Sequence, residues 1–159
     1  MDRVKEIKRI FKLQSEPSNI LRLRNSSLKE RIEKIKLIEN FICNESNHKT
    51  IADALYKDLR KSNEEVITTE ITPTLLNIKQ VLRNLKQWMK DKYMPTPITM
   101  AGMSSYVKYE SKGNILMIST WNYPVFLSLY PLIYGIAAGN AVILKPSEIS
   151  SYTSKVIAN

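Results

Sequence analysis

Lys112-Gly113-Asn114-Ile115-Leu116-Met117-Ile118-Ser119-Thr120-Trp121-Asn122-Tyr123-Pro124 decides how the chain is read, together with Gly139-Asn140-Ala141-Val142-Ile143-Leu144-Lys145-Pro146-Ser147-Glu148 downstream. Two apolar runs, Ile115 to Ile118 and Ala141 to Leu144, have the length of buried parallel strands, and the segment between them is long enough for a crossover helix. The spacing predicts a βαβ unit. Pro124 suits the opening of that helix, where no N–H donor is needed, and Gly139-Asn140 suits its end, because both residues tolerate positive φ. Pro131 falls inside the helix and is expected to kink it or split it into two short pieces.

A membrane span competes for the same residues, since no charged side chain occurs between Lys112 and Lys145. Asn122, Asn140 and the prolines and glycines interrupt the run, however, and a lipid-exposed backbone cannot leave so many polar groups unpaired. No membrane span is expected.

Upstream, apolar residues recur at helical spacing. They run through Ile32, Ile35, Leu37, Ile38, Phe41 and Ile42, then Ile51, Ala54, Leu55 and Leu59, then Leu75, Ile78, Leu82 and Leu85. These stretches predict amphipathic helices with one buried face each, on which Lys57, Asp58, Arg60 and Lys61 fall on solvated sides. Asn44 to Lys49 and Ser62-Asn63 interrupt the pattern. Tyr93-Met94-Pro95-Thr96-Pro97-Ile98 looks like a linker between the helices and the strands. Ser105-Tyr106-Val107-Lys108-Tyr109-Glu110 alternates like a half-exposed strand that pairs with the strand beginning at Asn114 or extends as an arm.

The order and spacing of Trp121-Asn122-Tyr123-Pro124, Pro131-Leu132-Ile133, Ala137-Ala138-Gly139-Asn140-Ala141 and Lys145-Pro146-Ser147-Glu148 resemble aldehyde dehydrogenases, most closely the class 3 and fatty-aldehyde branch. The resemblance continues upstream through Ala54 to Lys61, Thr69-Glu70-Ile71 and Asn84 to Met89, so that it covers the chain from about Arg31 onward. It implies an α/β fold: N-terminal amphipathic helices over residues 1–92, then, over 93–159, the first βαβ part of a truncated Rossmann-like NAD-binding domain. It also implies the chemistry. In this family a cysteine thiolate attacks the aldehyde, hydride passes to NAD(P), and water releases the acid.

Residue by residue, Asn122 matches the family asparagine whose amide receives the oxyanion, a role suited to a donor that carries two N–H groups and does not titrate. Taken alone, an asparagine after a strand more often caps or turns the chain. Lys145 and Glu148 match the pair that contacts the adenosine ribose hydroxyls, and Ile118, Ser119, Thr120 and Trp121 match the wall of the cofactor groove. A carboxylate at Glu148 disfavours the 2′-phosphate of NADP, so NAD is the expected cofactor, with NADP possible because the branch includes users of both.

Some positions depart from the family. Pro73 falls within a helix that the resemblance would run from about Glu64 to Lys90, so that either a new helix starts there with Thr72 as its cap or the position has drifted. Ser111-Lys112-Gly113 stands where a proline-containing turn is common, and Thr120 where proline or alanine is usual. By the resemblance, the catalytic cysteine, the general-base glutamate and the subunit-pairing C-terminal strand all belong beyond Asn159. The single cysteine, Cys43, reads as a small buried hydrophobe far from the βαβ unit. His48 reads as a loop or helix-end residue, and no cluster with metal-ligand spacing is evident.

With 159 residues the chain can form one modest core but not the family's two-domain architecture. The net charge of +9 raises the alternative of a basic nucleic-acid-binding module, yet the lysines are scattered among Glu30, Glu33, Glu39, Asp53 and Asp58, and no nucleic-acid partner is expected. No targeting or lipidation motif is evident, and one cysteine fits a reducing cytoplasm. The resemblance implies an aldehyde substrate and a homodimeric parent enzyme, with this chain an N-terminal fragment inactive alone. The alternative is a noncatalytic remnant or interaction module.

Overall fold

The computed structural model describes residues 3–158. Helices α1 (Arg3–Ser15) and α2 (Pro17–Arg24) meet at Pro17, whose missing N–H is harmless at a first helical position. Helix α3 (Leu28–Cys43) starts with a capping box: the Ser27 hydroxyl accepts from the Glu30 amide while the Glu30 carboxylate accepts from the Ser27 amide. Those bonds, the backbone one above all, hold the Glu30 carboxyl below its ordinary range. Asn44 alone separates α3 from α4 (Glu45–Leu59), so the interruption expected across Asn44 to Lys49 is one capping residue, and His48 lies in the first turn of α4.

At Pro73 the helix does not restart from a Thr72 cap. A short helix α5 (Asn63–Val66) continues through a π-turn, Ile67–Ile71, into α6 (Thr72–Trp88). Thr72 is not a cap. Its amide donates to the Ile67 carbonyl five residues back, and the wider turn carries the helix past a proline that has no N–H to contribute. Strands β1 (Lys92–Met94) and β2 (Ser105–Val107) then form an exposed antiparallel arm in which Tyr93 faces Tyr106. The first strand of the arm runs into the expected linker, starting one residue before Tyr93, and β2 pairs with it rather than with the strand from Asn114.

Strands β3 (Asn114–Ile118) and β4 (Ala141–Lys145) pair in parallel and are joined by α7 (Phe126–Ala137), which is the βαβ unit. Pro131 does not split α7. Pro124 precedes the first full helical residue, but the Tyr123 carbonyl already accepts from the Leu127 amide, so the proline occupies the incoming turn. At the other end only Gly139 takes positive φ, at 78°. Asn140 instead links the strand starts, accepting from the Gly113 amide at 3.1 Å. Helix α7 lies so close to the strands that a Cβ on Gly135 would sit 2.7 Å from Met117 Cε and 2.9 Å from Val142 Cγ2. Helix α8 (Ser151–Ala158) follows β4.

One apolar core unites the helical and the α/β segments. Ile35, Ile42, Ile51, Leu55, Val66, Ile71, Ile78, Val81 and Leu85 pack with Val125, Leu129, Ile133 and Ala137 of the crossover. Each fully buried aliphatic side chain contributes roughly 1.5–3 kcal/mol. Buried Arg31 fastens α3 to the end of α7: its guanidinium donates to the Ala137 and Arg24 carbonyls and to the Ser26 hydroxyl, and burial pushes its pKa down. Among the described residues no helix is long and apolar enough to cross a membrane.

Candidate functional site

Parallel pairing sets the C-terminal ends of β3 and β4 side by side, with Ile118 opposite Lys145. The Ser119 amide donates to the Lys145 carbonyl at 3.0 Å, so the ladder runs one residue beyond β3 before the chain turns away. Every site residue matched to the family lies at this end. Ile118 to Asn122 leave β3, and Lys145 and Glu148 leave β4. Open parallel sheets bind their ligands there, because helices cover the two faces and the loops at the carboxyl ends diverge.

Asn122 is exposed, and its Oδ1 accepts from Thr120 Oγ1 at 2.7 Å. In this arrangement the carbonyl end of the amide is tied to Thr120, and Nδ2 has no partner among the described residues. Thr120, which departs from the resembled family, is therefore in use: its hydroxyl orients the amide. Ile118 and Trp121 present apolar surface, being 68% and 49% exposed. Ser119 points the other way. Its buried Oγ shares a 2.7 Å hydrogen bond with Ser128 Oγ and ties the end of β3 to α7.

Lys145 Nζ donates to Glu148 Oε2 at 2.5 Å on the surface. The contact holds the Glu148 carboxyl below the ordinary carboxylate range. It also offers a donor and an acceptor next to each other, the combination that a vicinal diol needs. Ser147 shapes the turn that brings Glu148 back, with its carbonyl accepting from Ser154 Oγ at 2.7 Å.

Beneath the Asn122 loop lies a second lysine–glutamate pair that the sequence reading missed. Lys57 and Arg60 are exposed as expected, but Lys61 is buried and its Nζ donates to buried Glu70 Oε1 at 2.7 Å. Glu70 Oε2 accepts from the Phe126 amide at 2.9 Å, and Lys61 Nζ lies 4.0 Å from the centre of the Tyr123 ring. Asp58 is also spoken for: its carboxylate accepts from the Tyr152 and Thr153 amides and the Thr153 hydroxyl, capping α8. One signal could have exposed the pair. Val66, Glu70, Thr74, Ile78, Val81 and Leu85 form a three-four row that is buried throughout, and a glutamate in such a row needs a cation.

Cys43 is exposed at the end of α3, contrary to the expected buried position, and it lies outside the loop cluster. His48 Nε2 is 2.5 Å from the Ile42 carbonyl oxygen. Among the described residues no cluster of His, Cys, Asp or Glu could hold a metal ion.

Residues 4–159 match the Aldehyde dehydrogenase family. Aldehyde dehydrogenase family 3 member B1 of Bos taurus is 44% identical over 112 residues, 70% of this chain and 24% of that protein. The 4,4'-diaponeurosporen-aldehyde dehydrogenase of Staphylococcus aureus is 42% identical over 127 residues, 80% of this chain and 27% of that one. The solved substrate-bound state of Staphylococcus aureus AldH superimposes with a TM-score of 0.87 at 37% identity, covering 95% of this chain and 32% of that chain. The chain thus spans about a quarter of the curated relatives it matches.

Proposed function

The chain belongs to the aldehyde dehydrogenase family, in its class 3-like branch, and from that premise we propose that it is the N-terminal part of an enzyme oxidising an aldehyde to a carboxylic acid with NAD or NADP. The observation that carries this reading is the meeting of Asn122 with the Lys145–Glu148 pair at one end of a parallel strand pair.

The donor set fits the cofactor. Lys145 Nζ would donate to one ribose hydroxyl and the Glu148 carboxylate would accept from its neighbour, exchanging part of an exposed ion pair that contributes little by itself. The negative charge of Glu148 repels a 2′-phosphate, which favours NAD. Ile118 and Trp121 supply the apolar wall. When bound, the cofactor would supply the hydride acceptor. Asn122 Nδ2 donates to the aldehyde oxygen as that oxygen gains charge, with Thr120 holding the amide in the orientation that aims the donor.

The nucleophile and the general base come from elsewhere in the parent enzyme, which we read as a cytoplasmic homodimer. In that enzyme residues 1–92 form the helical segment and 93–159 open the dinucleotide-binding domain. The 159-residue chain alone neither oxidises aldehydes nor holds NAD tightly. The first test is the mass of the native product, detected with an antibody against this segment. A band several times heavier than 18.3 kDa is expected, and Asn122→Ala in that product should lower kcat by roughly 10² or more. A native band at the mass of this chain, or steady NADH formation by the purified chain, overturns the reading.

A further inference from the structure

Four anchors hold the loop that carries Asn122. On the strand side, the Ser119 amide is bonded to the Lys145 carbonyl and the Ser119 hydroxyl to that of Ser128. On the helix side, the Phe126 amide is bonded to Glu70 Oε2, and the Tyr123 ring lies on the Lys61 ammonium. The helix-side anchors come from residues distant in sequence, Glu70 within the π-turn and Lys61 just after α4, and both are buried.

We propose that Lys61 and Glu70 are positioning residues for Asn122, a charged post under the first turn of α7 that fixes the direction in which the loop presents its amide. The inference rests on the role given to Asn122 in the preceding subsection. Each charged atom has a separate task. One carboxylate oxygen binds the ammonium and the other takes the free N–H of the incoming helix turn, where negative charge is favoured by the aligned peptide dipoles. The ammonium spends one direction on the carboxylate and another on the face of Tyr123, the residue next to Asn122. A purely apolar core could bury the same volume. It could not hold an amide N–H and a tyrosine face at once, and the two together leave the loop little freedom to turn. Buried pairs of this kind contribute little net stability compared with apolar residues of similar volume, so an orienting task suits this one better than a stabilising task.

The test uses the full 159-residue chain labelled with 15N, and it needs neither substrate nor cofactor. In the unmodified chain the backbone amides of Asn122 and Tyr123 are expected to be rigid, with order parameters of about 0.85, and the Phe126 amide proton to lie downfield, as befits a carboxylate acceptor. The double variant Lys61→Met/Glu70→Leu removes both charges while filling the space. It should keep its melting transition but drop the Asn122 and Tyr123 order parameters below about 0.6. Lys61→Arg should keep both residues rigid. Unchanged order parameters in a folded double variant overturn the proposal, as does a mobile Asn122 loop in the unmodified chain, which decides the matter even if the double variant fails to fold. Neither result bears on the aldehyde activity, which stands or falls with Asn122→Ala in the native product.

Discussion

Two lysine–glutamate pairs with almost the same contact distance lie next to the segment from Ser119 to Phe126. In Lys61–Glu70 the side chains are 7% and 0% exposed; in Lys145–Glu148 they are 52% and 80% exposed. The chemistry of the groups is identical, so the surroundings decide what each pair does. The buried pair also engages a backbone amide and an aromatic face. The exposed pair can trade its partner for a ligand at little cost, because water already competes for both ends. Burial turns one pair into scaffold and leaves the other as a binding device.

The most forceful way to break this comparison is to remove one partner from each pair. Lys61→Met leaves Glu70 in the core without its cation and should destabilise the chain by about 3–5 kcal/mol, whereas Lys145→Met, at an exposed pair, should leave stability essentially unchanged. Urea titrations of both variants check this, and equal midpoints would sink the distinction. A smaller effect approaches the loop from the sheet side. Gly135→Ala forces a methyl against Met117 and Val142, displaces α7 and should cost about 1–3 kcal/mol, measured by thermal melting. Agreement there would show that the seat of α7 depends on the strands as well as on Glu70.

The finest discrimination is in titration. Glu148 has its folded pKa depressed, first through the Lys145 hydrogen bond, so whatever stability it lends is present above its unfolded value of about 4.3 and fades as pH falls through the lower folded value. A 13C-detected titration should find Glu148 ionising below the ordinary glutamate range, and Lys145→Met should move it back toward that range. A Glu148 pKa indifferent to that substitution would mean that the two groups do not meet in solution.

Local pattern carried much of the fold. The strands at Ile115–Ile118 and Ala141–Leu144 each needed one residue added, and the helical stripes through Ile35, Leu55, Ile78 and Leu85 are the buried ones. These signals are periodic and lie within a single element, so a sequence displays them directly. The site positions were legible through their order in a short block. The post beneath them was not. Lys61 follows Arg60, the residue that ends α4 with φ at 57°, and a lysine at a helix end ordinarily points to water. Only tertiary packing shows that it turns inward to a glutamate nine residues on. The same holds for Asp58, whose partners are more than ninety residues away.

The π-turn at Ile67–Ile71 has a consequence for how this segment tolerates changes of length. Each residue added to or taken from a helix rotates everything beyond it by about 100°. Glu70 lies within the turn and faces inward, while α6 beyond it must keep Ile78, Val81 and Leu85 in the core. Deleting one residue here would give the helix its usual hydrogen bonds and still aim either the carboxylate or the apolar row at solvent. The turn works as a phase adjuster between a polar task and an apolar one. At this place the count of residues matters more than their identity, and insertions and deletions are the changes the chain can least absorb.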